Sequence, residues 1–280
     1  MIGPKVHVHA ADAGGCGMNR LIWPGRALQA AGFDVTVFEG DLTGKLQVGW
    51  RNIGEGGRPV PVEVVKPPCD VIVFQRPLAE NTVALIPMLQ AHGVAVVVEI
   101  DDAFEVMDHR NVGYPSANPQ TSPRRNWDHL KRACAAADVV TCTTPALLER
   151  YGRHNGVVIP NYVPESYLDI PKPVHDGPPI VGWTGSIETH PDDLKVMGGA
   201  IADLCLRDVI QFRTVGTGWQ VAEQLGLDDR YERWRSYYLA DEVEAWKKNP
   251  DDDPPKARQV IPWWATGWLP LDDYPSAVAH

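Results

Sequence analysis

The sequence predicts an α/β protein of two domains, each a parallel sheet covered by helices. Short β-branched runs alternate with longer stretches of helical period, the pattern of such sheets. A glycine cluster separates the first run from the first helical stretch. After six prolines between Pro160 and Pro179, a second run, glycine turn and helical stretch begin again. The length of 280 residues suits two domains and excludes a small stapled scaffold. The boundaries read as 1–165 and 166–280, with an insertion at 225–257.

Lys5 to Ala10 is the first expected strand. Met18, Leu21, Ile22, Leu28 and Ala31 then mark one helical face, with Pro24 expected to kink that helix or end its first segment and Gly32 to stop it. Val35 to Phe38 and Asp70 to Gln75 are the next strands of the sheet. The glycine-rich stretch between them, Gly40 to Pro61, reads as loops or a hairpin. Thr82 to Ala91 fits a helix, Val94 to Ile100 a strand buried on both faces, and Arg124 to Ala137 a helix leading to the strand Val139 to Thr143. A short helix, Pro145 to Tyr151, and a strand, Val157 to Ile159, complete the first domain. The second runs through strand Ile180 to Trp183, helix Asp192 to Leu206, strand Val209 to Val215 and a strand near Gln259 to Trp263.

The charge balance narrows the function classes. Asp and Glu number 36 against 26 Lys and Arg, a formal charge of −10, so no global field attracts nucleic acid or an anionic membrane. Any phosphate site must be built locally. The five cysteines are scattered without a CxxC pair, which argues against zinc clusters and a disulfide framework. No leader pattern opens the chain, and the densest apolar run, Val94 to Val98, is too short to span a bilayer. A soluble cytoplasmic protein with reduced thiols is expected. The ten tryptophans form no periodic stripe in the last third of the chain, and indicate packing rather than a ligand.

Three segments can carry chemistry. Asp12-Ala-Gly-Gly-Cys-Gly-Met-Asn-Arg20 lies between a strand and a helix, where glycines let backbone approach a phosphate and the helix N-terminus offers unpaired N–H groups. A plain structural turn competes with that reading. So does a nicotinamide-dependent oxidoreductase, because Gly15-x-Gly17 is followed by the acid Glu39, although Arg20 stands where the third glycine of that fingerprint belongs. Glu99-Ile-Asp101-Asp102 follows a buried strand, so its carboxylates can orient sugar hydroxyls, hold a metal or cap the next turn. His7 and His9 share one face of the first strand and can join those acids as metal ligands or serve as hydrogen-bonded structural residues. Finally, Val181-Gly-Trp-Thr-Gly-Ser-Ile-Glu-Thr-His190 opens the second domain, with His190 near a helix start, either stabilising a departing phosphate or simply exposed.

Taken in order, GGCGMNRLIWPGRALQAAGFDVTVF from Gly14, VVVEIDD from Val96, ADVVTCTTPALLERY from Ala137, VIPN from Val158, VGWTGSIETHPDDL from Val181 and WLPLDDYPSAVA from Trp268 resemble the retaining family-four glycosyltransferases of the GT-B fold. The resemblance covers nearly the whole chain. It implies two Rossmann-like domains with the donor between them and the acceptor held mainly by the first. The implied reaction moves a sugar from a nucleotide-sugar to a hydroxyl, without a metal or other cofactor. Gly15, Cys16, Gly17 and Arg20 would face the donor phosphates, and Gly185 and Ser186 the opposite side. Asp101 and His190 would be catalytic, while Asp102 and Asn161 would contact acceptor or sugar.

The pattern departs from that family in two places. Ile100 stands where many members carry histidine. The family's Glu-x7-Glu motif and final helix are missing after WLPLDDYP, so the second domain is expected to be incomplete. That shortening raises two further expectations, a complementing chain for the missing half, or a non-catalytic binding or subunit protein.

Overall fold

The computed structural model describes residues 3–39, 45–53, 57–117, 125–152, 154–170, 176–186, 189–190, 192–197, 199–216 and 263–266. The chain divides into two compact units, 1–109 with 113–165 and 110–112 with 166–280. The expected α/β class, with parallel sheets, is what the structure has.

In the first unit, strands β1 (Val6–Ala10) and β2 (Val35–Glu39) flank a helical segment. An antiparallel ribbon follows, β3 (Val48–Ile53) with β4 (Arg58–Val64), so the glycine-rich stretch does contain a hairpin. Then come β5 (Val71–Gln75), helix α3 (Glu80–Ala91) and β6 (Ala95–Ile100). After α4 (Tyr114–Ala117) and α5 (Asn126–Ala136) the unit ends with β7 (Val139–Cys142), α6 (Pro145–Leu147) and β8 (Gly156–Val158). Six of these strands form one sheet in the order β2-β1-β5-β6-β7-β8, every neighbouring pair parallel.

One face of that sheet carries the main core. Ile72, Phe74, Val96, Val98 and Ile100 are fully buried with Leu85, Ile86 and Leu89 of α3 and Leu130 and Ala133 of α5. Each large apolar side chain buried in this way contributes about 1.5–3 kcal/mol. The opposite face is less closely covered, since Val71, Val73 and Val97 are only half-buried. Over β2 that face is closed by the first helical segment, where Gly25 lies so near Val37 that a Cβ would meet its methyl group.

This first segment continues through Pro24 rather than ending there. α1 (Gly15–Gly17) passes into a π-turn, Met18–Ile22, and then into α2 (Trp23–Ala30). In the π-turn the Trp23 N–H donates to the Met18 carbonyl, five residues back. That wider turn takes the chain up to a proline that has no N–H to give, and Pro24 sits harmlessly in the first turn of α2.

In the second unit, β9 (Ile180–Gly185), β10 (Gln211–Gly216) and β11 (Trp263–Thr266) form a parallel sheet with β10 central. Leu194, Ile201, Ala202, Cys205, Ile210 and Phe212 make its core. The expected helix from Asp192 is shorter than its pattern suggests. The chain makes a turn and a 3-10 segment, Lys195–Met197, and α7 spans only Ala200–Leu206. The pair Gly198-Gly199 interrupts the apolar period with the residue type that pays most backbone entropy in a helix. The expected insertion at 225–257 and residues 259–262 lie outside the described residues.

Strand order fixes where a ligand belongs. From β1 the chain steps one way to β2 and the other way to β5, β6, β7 and β8. The order therefore reverses between β1 and β5, and open α/β sheets bind ligands outside the carboxyl ends of the strands at such a reversal.

Candidate functional site

The segments leaving β1, β5 and β6 meet at this reversal. After β1, Asp12 organises the glycine loop by accepting the Gly14 N–H at 2.8 Å and the Gly17 N–H at 3.2 Å on one carboxylate oxygen. These bonds satisfy donors that the start of a helix leaves open. Gly17 is buried against this turn, and a Cβ there would collide with the Asp12 carbonyl oxygen. Gly15, by contrast, is exposed and has open space where a Cβ would be. These two glycines thus differ in purpose: Gly17 closes the turn, whereas Gly15 is exposed, with its carbonyl accepting the Asn19 side-chain amide at 2.8 Å.

Gln75, the last residue of β5, ties the loop to the sheet. Its side-chain amide donates to the Cys16 carbonyl at 3.2 Å and its oxygen accepts the Ala11 N–H at 3.0 Å. Arg76 follows with φ at 44°, in the left-handed region that a non-glycine residue rarely occupies. Its guanidinium pairs with the second Asp12 oxygen and lies 3.6 Å from Asp101. Burial works against the Arg76 charge, but Asp101, with Cys16 and Asp12, outweighs it and holds the pKa above its ordinary value. Arg76 was not among the expected site residues. The signal for it is an arginine directly after a β-branched run, but only the pairing of β5 with β1 brings it to the loop.

Asp101 follows β6, its side chain 7% exposed and neither carboxylate oxygen hydrogen-bonded. Beside it stands Cys16, whose thiol is pushed up to about 12 by burial and then by Asp101. Ligand atoms of Cys16, Asp101 and Asp102 all lie within 4.8 Å of one another, and no other such trio of His, Cys, Asp or Glu occurs among the described residues.

Arg20 takes a different position from the one expected of a phosphate contact. It lies in the π-turn, 6% exposed, with Nε donating to Glu99 at 2.6 Å. Another nitrogen donates to the Ile159 carbonyl at 2.6 Å and to the Asn161 side-chain oxygen at 3.1 Å. Burial raises the Glu99 carboxyl to about 7 against the pull of Arg20. Arg20 therefore holds the glycine-loop helix to the ends of β6 and β8, and the side-chain oxygen of Asn161 is committed to the same tie.

His7 and His9 do not reach the acids. His9 is 1% exposed, stacked on Phe38 at 4.6 Å between ring centroids and edge-on to Phe74 at 5.7 Å. Burial, then the neighbouring His7 and Lys45, lowers its pKa to about 4. Glu39, the acid of the oxidoreductase reading, is exposed and paired with Arg26 at 3.4 Å.

In the second unit, β9 ends at Gly185, whose φ of 145° requires glycine. The Ser186 carbonyl accepts the Thr189 hydroxyl at 3.0 Å. The His190 side chain is 56% exposed, its Nδ1 3.1 Å from an Asp193 oxygen. It does not stand at a helix start, because α7 begins at Ala200.

A separate cavity of about 790 Å³ in the first unit is lined by Arg58, Glu80, Arg125, Asp128, His129, Lys131 and Arg132. None of the expected site residues lines it.

No protein-family model matches the chain, and no curated protein matches it in sequence. Among solved structures it is similar to UGT2 of Phytolacca americana, determined with UDP-2-fluoro-glucose and pterostilbene, at 10% identity and a TM-score of 0.37. The match covers 77% of this chain and 66% of that one, just under two thirds of its length.

Proposed function

We propose that the chain is a glycosyltransferase, moving a sugar from a nucleotide-sugar donor to a hydroxyl acceptor with retention of configuration. The observation that carries the reading is the glycine loop at the sheet reversal, with Gly15 open to solvent and Asp101 beside it. In this reading the N–H groups of Gly15 and Cys16, which Asp12 does not take, meet the donor diphosphate and stabilise its growing charge as the glycosidic bond breaks. The Asp101 carboxylate, which has unused acceptor capacity, orients a sugar or acceptor hydroxyl, and Asp102 lies close enough to assist.

A second reading is a non-catalytic binding protein of the same fold. It is favoured by the burial of Arg20, which leaves the loop without the cation that its sequence promised. One experiment separates the two. Nucleotide-sugars with uridine, guanosine or adenosine diphosphate leaving groups are screened for a rise in melting temperature and for release of nucleoside diphosphate. The transferase reading expects both, with Asp101→Asn keeping the thermal shift and losing release. A shift without release for any donor and acceptor supports the binding protein, and no shift with any donor overturns the transferase reading.

A further inference from the structure

Away from the glycine loop, positive charge gathers around α5. The cavity of about 790 Å³ adjoins a second of about 610 Å³, and Lys131 and Arg132 line both. Arg58 and Arg125 stand in the first and Arg150 in the second. Among the described residues the acids that pair with these groups are Glu80 with Arg58, Asp128 with Arg125, and Glu105 with both Lys131 and Arg150. Five cations thus share three carboxylates, and Arg132 has no ion pair among the described residues. In a chain of formal charge −10, that positive excess at one place is a local construction.

We infer that this cavity binds a small organic anion that also carries hydroxyl groups, of the sugar-phosphate or sugar-acid class. The inference stands apart from the transferase reading. The ion pairs already present do not stand in for a ligand. Arg58 and Arg125 are 64% and 67% exposed, and exposed pairs contribute little to stability, so their guanidiniums turn to a bound anion at small cost. Their planar forks match two oxygens of a carboxylate or phosphate. Helices α3 and α5 both begin at the cavity wall without a side-chain cap, and the positive ends of their dipoles add to the field. The volume is that of a small-molecule site.

The hydroxyl requirement comes from His129, which lines the cavity although it is only 8% exposed. Its Nδ1 stands 3.0 Å from the Leu78 carbonyl oxygen, which can only accept, so Nδ1 carries a proton and donates it there. In the neutral ring Nε2 is then the acceptor, held in one orientation by the Leu78 bond. Such a nitrogen takes a hydroxyl proton and gives nothing to a bare anion. Guanidiniums for the charge beside an imidazole for the hydroxyl select a ligand that has both.

The test is calorimetric titration of the full-length protein, at low salt, with glucose 6-phosphate, gluconate, glucose and inorganic phosphate. Glucose 6-phosphate or gluconate is expected to bind one to one, and which of them binds tells a phosphate ester from a carboxylate. Arg132→Gln should weaken that binding about tenfold, the loss of one charge-assisted contact. Arg26→Gln, the same change of charge outside the cavity, should leave it unchanged. His129→Asn keeps a donor for the Leu78 carbonyl and removes Nε2, so it should weaken binding of the hydroxylated anion and leave that of inorganic phosphate as it was. If His129→Asn does not fold, Arg132→Gln, a surface change, still decides. No binding of either hydroxylated anion, equal losses in Arg132→Gln and Arg26→Gln, or glucose bound as tightly as its phosphate overturns the inference. So does inorganic phosphate bound as tightly as glucose 6-phosphate, because His129 would then have no part in recognition.

Discussion

His9 shows what a buried polar side chain costs when nothing partners it. Both ring nitrogens lack hydrogen bonds, and the ring is held neutral between Phe38 and Phe74. Since its pKa falls from 6.5 to about 4 on folding, the unfolded chain takes up the proton first as pH drops. The contribution to stability is full above about pH 6.5 and is lost as pH falls through about 4. His9→Phe keeps a ring against Phe38 and removes the titration. Urea denaturation at several pH values between 4 and 7 should show a shallower acid decline for the variant, by roughly 3 kcal/mol at most over that range. An unchanged slope would mean that His9 does not titrate with unfolding. At this same scale the sequence was only partly legible. Asp101 and Cys16 were visible as residues at the ends of the right elements. The fate of Arg20 was not, because its partners Glu99 and Asn161 are 79 and 141 positions away and no local pattern encodes them.

Among the elements, strands were the most legible. Runs such as Val71–Gln75 and Ala95–Ile100 are β-branched and form strands as expected, but burial on both faces is not reached, since Val71, Val73 and Val97 are half-buried and Ala95 is exposed. The helix expected from Asp192 is cut short because the Gly198-Gly199 pair disfavours a helix more strongly than the apolar spacing supports one. The glycine loop offers a sharper test of what its spacing means. Gly17→Ala places a methyl against the Asp12 carbonyl, backbone that cannot swing aside, whereas Gly15→Ala meets open space. Gly17→Ala should cost about 1–3 kcal/mol or more by overpacking. Gly15→Ala should stay within about 0.5 kcal/mol of the parent, which chemical denaturation of the two variants measures. Equal costs would contradict the division of labour between the two glycines.

At the scale of the whole first unit, the sheet is unequally covered. Val98 and Val73 are the same residue type on adjacent strands, one fully buried against α3 and α5, the other half-buried on the opposite face. Val98→Ala should cost about 2 kcal/mol, and Val73→Ala about 1 kcal/mol or less, because only the first leaves a sealed cavity. Comparable losses would show that the second face is as tightly closed as the first. The strand order that creates the site was beyond the reach of the sequence. Alternation of strands and helices predicts a parallel sheet, but the reversal beside β1, and with it the meeting of Arg76 with Asp12, depends on which side of β1 the strand β5 takes.

The tie made by Arg20 also sets an order on the birth of the molecule. The arginine leaves the ribosome before its carboxylate at Glu99, some eighty residues later, and the carbonyl of Ile159 and amide of Asn161 follow later still. Until residue 161 has emerged, the nascent glycine loop has a cation with only part of its burial site, so that loop is among the last parts of its unit to reach final form.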